Sequence, residues 1–140
     1  MKSRFLTLKP SGIRIQVVEA GKGRDLLYLH GAGGHMAADP LIAALATKYR
    51  VVAPLLPGYG QSTGEDGLRD MLDITLHGLD VLEALKLKKP IVVGHSMGGD
   101  RAHRGRQALP AGAGRPVAGR PSDRRHLLQA ALRAARIAVP

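Results

Sequence analysis

Ile91-Val92-Val93-Gly94-His95-Ser96-Met97-Gly98-Gly99 is the stretch on which the reading of this chain turns. Its apolar, β-branched start reads as a buried strand. The strand runs directly into Gly-x-Ser-x-Gly, the spelling of a nucleophile elbow, which has meaning only after a strand. The chemistry explains the spelling. A serine hydroxyl is a weak nucleophile until a base takes its proton, so it must be presented bare at a sharp strand-to-helix turn. Such a turn strains the serine backbone and leaves no room for side chains beside it, hence Gly94 and Gly98 on either side. Ser96 is therefore the candidate nucleophile. The backbone N–H of Met97 then points to where a carbonyl oxygen would turn negative.

Two segments upstream belong with it. Asp25-Leu26-Leu27-Tyr28-Leu29 reads as a buried strand ending in His30-Gly31-Ala32-Gly33-Gly34. Val51-Val52-Ala53 is another, leading into Pro54-Leu55-Leu56-Pro57-Gly58-Tyr59-Gly60-Gln61-Ser62. In this order and about a helix apart, the three segments resemble the α/β-hydrolase family. In that family a His-Gly-x-Gly turn after the third strand supplies the second oxyanion donor, which by position is the N–H of Ala32. The resemblance gives Gly31, Gly33, Gly94 and Gly98 supporting places in the two turns. It makes His30 a tie for the oxyanion loop and His95 a packing residue of the elbow, its side chain directed away from that of Ser96. The third segment is similar to the family's Asp-x-Pro-Gly-x-Gly-x-Ser, except that Leu55 stands where the aspartate usually does.

The motifs that carry the resemblance lie within residues 1–99. It implies an α/β fold: the N-terminal half of an α/β-hydrolase sheet, mostly parallel, in strand order 1-2-4-3-5 and truncated after the elbow strand. It also implies hydrolysis of a small ester, amide or carbon–carbon bond by serine attack on a small-molecule substrate, with no cofactor and no metal. A dinucleotide or P-loop reading of the glycines fails. No Gly-x-Gly-x-x-Gly opens a helix, and no Gly-Lys-Ser/Thr occurs.

Hydropathy outlines the elements around these motifs. Ile13-Arg14-Ile15-Gln16-Val17-Val18 alternates, as an outer antiparallel strand should, and Phe5-Leu6-Thr7-Leu8 pairs with it across Lys9-Pro10-Ser11-Gly12. Asp39 caps a helix with Pro40 in its first turn, and Leu41, Ile42, Leu45 and Tyr49 share its inner face. Residues 58–67 read as loop. Leu68, Met71, Leu72, Leu76, Leu79 and Leu82 recur at helical spacing through about Leu85, giving a long amphipathic helix.

Composition bounds the rest. The 140 residues suffice for one domain with a core but contain no cysteine, so disulfides and thiolate metal sites are excluded. No apolar h-region follows Met1, and no run approaches the ~20 apolar residues of a membrane span, so a cytoplasmic protein is expected. The net charge of +10 is unevenly held. Residues 1–99 carry +3, whereas residues 100–140 carry +7 from nine Arg and two Asp.

That tail reads as a different text. Ala, Arg, Gly and Pro supply 27 of its 41 residues, and charges fall on every face of the helix that should leave the elbow. No further strand is read there, which leaves the elbow strand as a sheet edge open to self-association. Only residues 124–138 regain a helical period, through Leu127, Leu128, Ala131, Leu132 and Ala135. Such codons are rich in G and C, the product expected of out-of-frame translation. The tail is thus expected to be out of frame and largely irregular. An anion-binding alternative would use its arginines on phosphate or an anionic membrane, but without interleaved aromatics it specifies no nucleic acid.

The triad acid and base stay unassigned. His35 and His77 read as surface or packing residues. Downstream of Ser96 stand only Asp100, His103, Asp123 and His126. Asp100 lies four residues past the serine, in the helix leaving the elbow, and Asp123 and His126 sit in the suspect tail. The expectation is a chain of enzymatic ancestry that is catalytically incomplete.

Overall fold

The computed structural model describes residues 1–34, 39–87, 89–98 and 117–119. Strands β1 (Lys2–Thr7), β2 (Arg14–Ala20), β3 (Asp25–Leu29), β4 (Arg50–Pro54), β5 (Ile91–His95) and β6 (Val117–Gly119) form one sheet in the order β1-β2-β4-β3-β5-β6. The first five follow the order that the sequence implies. β1 and β2 form an antiparallel hairpin with Lys2 opposite Glu19 and Thr7 opposite Arg14. β2 meets β4 antiparallel, and from β4 onward every pairing is parallel.

Side-chain alternation explains why the interiors of the parallel strands are apolar on both faces. Leu26, Tyr28, Val51, Ala53, Ile91 and Val93 pack on one face with Leu41, Ile42 and Leu45 of helix α1 (Pro40–Leu45). Leu27, Leu29, Val52 and Val92 pack on the other with Val81 and Leu85 of helix α2 (Met71–Leu85). A strand covered on both faces has no solvent side, so its hydrophobic run is continuous. Ile15 and Val17 of β2 join the α2 face and Val18 the α1 face.

The helix starts are set by aspartates. Asp39 accepts from the Leu41 N–H at 2.8 Å with Pro40 in the first turn. Asp70 accepts from Leu72 N–H at 2.8 Å and Asp73 N–H at 2.9 Å, and this cap begins α2 at Met71. A short 3-10 turn, Glu65–Gly67, precedes it.

The structure corrects three expectations. The inner face of α2 is His77, Val81 and Leu85, whereas Leu72 and Leu76, expected inside, are 64% and 51% exposed. β5 is not an edge along its whole length, because Val93, Gly94 and His95 pair with β6. The same pairing places a strand, Val117–Gly119, in the stretch expected to be irregular. The helix expected over 124–138 lies outside the described residues.

A charged ladder closes the end of the sheet where β3 and β4 begin. Arg50 reaches Asp25 at 2.9 Å and Glu19 at 3.3 Å, and Arg4 reaches Glu19 at 2.7 Å. Partial burial pushes the Glu19 carboxyl up, but the Arg4 and Arg50 guanidiniums outweigh it and hold it below the usual glutamate range.

Candidate active site

At the far end of β5 the chain turns. Ser96 has φ 53°, a left-handed conformation that costs a non-glycine residue ~1–2 kcal/mol. Met97 and Gly98 are already helical. Gly98 packs against the end of β3 so tightly that a Cβ there would overlap the Leu29 carbonyl oxygen and lie 2.8 Å from that of His30. Gly94 stands opposite Leu29 on one side and Ala118 on the other. The elbow glycines thus let the turn sit directly on the neighbouring strand.

That strand delivers the second turn to the same place. A Cβ added to Gly31 would lie 3.0 Å from the Ser96 Cβ and 3.0 Å from the His95 carbonyl oxygen. The Gly31-Ala32-Gly33 turn is therefore packed against the serine. Its carbonyl at Gly31 is held by the Gly34 N–H at 2.9 Å and by His30 Nδ1 at 2.7 Å. His30 is fully buried and its Nε2 accepts from the Leu56 N–H at 2.9 Å. An imidazole nitrogen that accepts carries no proton, so Nδ1 bears it and donates to Gly31. With both nitrogens engaged, this ring has none left to serve Ser96 as a base. A trans peptide points its C=O and N–H in opposite directions, so anchoring the Gly31 carbonyl also aims the Ala32 N–H.

The loop after β4 reinforces the turn. The Tyr59 hydroxyl donates to the Ala32 carbonyl at 2.6 Å, and its ring stands edge-on to His30 with centroids 4.7 Å apart. Ser62 accepts from Gln16 N–H and donates to the Leu55 carbonyl, both at 2.9 Å, while the Gln16 side chain accepts from the Gln61 N–H. Leu55 and Leu56 are buried. Sequence reasoning assigned no role to Tyr59 or Gln16. For Tyr59 the only signal was its place between Gly58 and Gly60; for Gln16 there was none.

The remaining histidines divide. His77 is buried on the inner side of α2, and His95 is buried at the end of β5 with Nε2 lacking a hydrogen-bond partner among the described residues. His35, Asp100, His103, Asp123 and His126 lie outside the described residues, so the triad acid and base are not located. Among the described residues no cluster of three or more His, Cys, Asp or Glu could hold a metal, and no helix is long and apolar enough to cross a membrane.

Comparison with known proteins agrees with this geometry. The model of the alpha/beta hydrolase family matches residues 26–138, so the match runs past the elbow and into the arginine-rich tail. A 2-hydroxymuconate semialdehyde hydrolase of Pseudomonas sp. (strain CF600) is 32% identical over 94 residues, covering 64% of this chain and 33% of that protein. An epoxide hydrolase of Caballeronia sordidicola is 31% identical over 96 residues, covering 66% of this chain and 29% of its own length. The chain thus spans about a third of the length of these relatives. The solved structure of an N-acyl homoserine lactonase with N-butanoyl homoserine superimposes with a TM-score of 0.72 at 30% identity, over 86% of this chain and 46% of the lactonase.

Proposed function

The chain belongs to the alpha/beta hydrolase family, and on that premise we propose that Ser96 is the nucleophile of a serine hydrolase acting on a carbonyl. In a complete member of the family the Oγ at this position adds to the carbonyl carbon as a base takes the proton. The N–H groups of Ala32 and Met97 receive the resulting oxyanion. Preorganised donors of this kind are worth ~3 kcal/mol each in the transition state. The observation that carries the reading is the contact of two turns: Ser96 at φ 53° on the elbow, and the Gly31 turn against its Cβ. A serine suits a small ester, amide or carbon–carbon substrate, because acyl transfer to its oxygen leaves an intermediate that water can clear. The semialdehyde hydrolase and the lactonase among its relatives support that substrate class.

The second half of the proposal concerns the base. His30 is committed to Gly31 and Leu56, and His77 is packed against the core, so neither serves Ser96. Among the described residues Ser96 has a nucleophile's place and an oxyanion site but no acid and base to serve it, and on this reading the chain is catalytically incomplete. A fluorophosphonate probe, which needs an activated serine, tests this. No labelling is expected of this chain; labelling that is lost in Ser96→Ala would show that a base is present and overturn the incomplete-triad reading. We ascribe the composition of residues 100–140 to a shifted frame. The nucleotide sequence around codon 99, read in three frames to the next stop, tests it; the absence of a long open alternative frame refutes it.

A further inference from the structure

Tyr59 holds the turn that bears the Ala32 N–H at three points. Its hydroxyl donates to the Ala32 carbonyl at 2.6 Å. Its ring meets His30 edge-on, the residue whose Nδ1 anchors the Gly31 carbonyl. Its Cδ1 occupies the space a side chain at residue 34 would need, 2.8 Å from a Cβ built on Gly34, whose φ of 67° marks the end of the turn. Two successive peptide planes are thereby fixed: Gly31–Ala32 through His30 and Gly34, and Ala32–Gly33 through the Tyr59 hydroxyl. Each plane being rigid, the anchored Gly31 carbonyl sets the direction of the Ala32 N–H, while the Tyr59 bond fixes the following plane and so stops Ala32 from turning between the two.

We propose that Tyr59 is the positioning residue of the oxyanion turn: its hydroxyl and ring hold Ala32 so that the backbone N–H faces a developing negative oxygen. This rests on the reading of Ala32 and Met97 as oxyanion donors. Tyr59 touches no reacting atom and acts only through the turn. The loop that carries it is itself stiff, because Tyr59 accepts at its carbonyl from the Ser62 N–H at 3.0 Å and donates its N–H to Leu56 at 3.0 Å. A rigid carrier is what a positioning side chain requires, since a mobile one would transmit its own disorder to Ala32.

The test needs no turnover, so it does not depend on a catalytic base. Isotope-labelled chain is titrated with acetate, whose carboxylate stands in for the oxyanion, and the Ala32 and Met97 amide resonances are followed. Amide exchange at Gly34 is measured alongside. In the parent, both amides are expected to move along one binding curve. In Tyr59→Phe, which keeps the ring and loses the hydroxyl, the Ala32 response is expected to fall at least about threefold while that of Met97 persists, and Gly34 exchange to rise up to about tenfold. Gly34→Ala, which retains the hydroxyl but displaces the ring, should give the same loss at Ala32. Unchanged exchange at Leu27 and Val92 shows that the sheet is intact in each variant. Thr47→Val, which removes a hydroxyl-to-carbonyl bond of 2.7 Å at Ala44, should leave both amides unaltered. A parent-like Ala32 response in Tyr59→Phe overturns the role of Tyr59 alone. Silence of both amides in the parent overturns the oxyanion reading and the positioning role with it.

Discussion

Gly98→Ala isolates the contact on which the elbow depends. A Cβ at residue 98 would overlap the Leu29 carbonyl oxygen, sit 2.5 Å from its carbon and 2.8 Å from the His30 oxygen. Ordinary contacts begin near 3.4 Å, so β3 and the elbow must part by well over 1 Å, and all three obstructing atoms are backbone. Overpacking of this kind costs ~1–3 kcal/mol, and backbone offers no rotamer through which to relax. Against this, alanine restricts the unfolded chain and contributes ~0.4–1 kcal/mol of stability. The net is a loss of roughly 1 kcal/mol, or on the order of 5 °C in melting temperature for a domain of this size. Gly33→Ala supplies the comparison. A Cβ there meets nothing within 4 Å, so only the entropic gain operates and stability should hold or rise slightly. Urea denaturation of the two variants and the parent measures the difference directly. Equal stability of Gly98→Ala and Gly33→Ala would refute the close approach of β3 and the elbow.

Three further outcomes follow from other parts of the molecule. Ser96→Gly should stabilise the fold by ~1 kcal/mol in urea denaturation, since glycine adopts φ 53° without strain, whereas Ser96→Ala should not. Leu72→Ser and Leu76→Ser should stay within about 0.5 kcal/mol of the parent, while Leu85→Ala should cost ~2–5 kcal/mol; the reverse ranking would restore the helix face read from the sequence. The Glu19 carboxyl lies below its ordinary value when folded, so its stabilisation is complete above the unfolded pKa of about 4.3 and is lost as pH falls through the folded value. Glu19→Gln should therefore flatten the acid side of the stability curve, and an unchanged acid limb would show that the Arg4–Glu19–Arg50 ladder contributes nothing.

What the sequence disclosed depended on how local its signals were. The strands were legible because each parallel strand is a short apolar run bounded by a turn, and their order in the sheet came from the family resemblance that the motifs carry. The Asp39 cap was legible from the aspartate and proline together. The phase of α2 was not. Leucines and a methionine lie on several sides of that helix, so an i, i+4 stripe through Leu72 and Leu76 competes with the true one through His77, Val81 and Leu85. β6 was missed because Val117-Ala118-Gly119 is too short to show a period and stands among glycines and prolines. The Ser96 and Gly31 turns announced themselves by glycine spacing. The Tyr59 contact with Ala32 did not, since it joins residues 27 positions apart through a hydroxyl that no pattern marks.

The place of β4 in the sheet has a consequence for how this chain comes together during synthesis. β2 and β3 are consecutive in sequence, yet β4 lies between them and pairs with both. Until residue 54 has left the ribosome, the β1–β2 hairpin and β3 have no common neighbour and cannot belong to one sheet. The arrival of Arg50–Pro54 joins them in a single step, and β5 then adds on the open side of β3. The elbow leaves the ribosome some sixty residues after the Gly31 turn that it packs against, so their contact can form only once both strands that carry them are out.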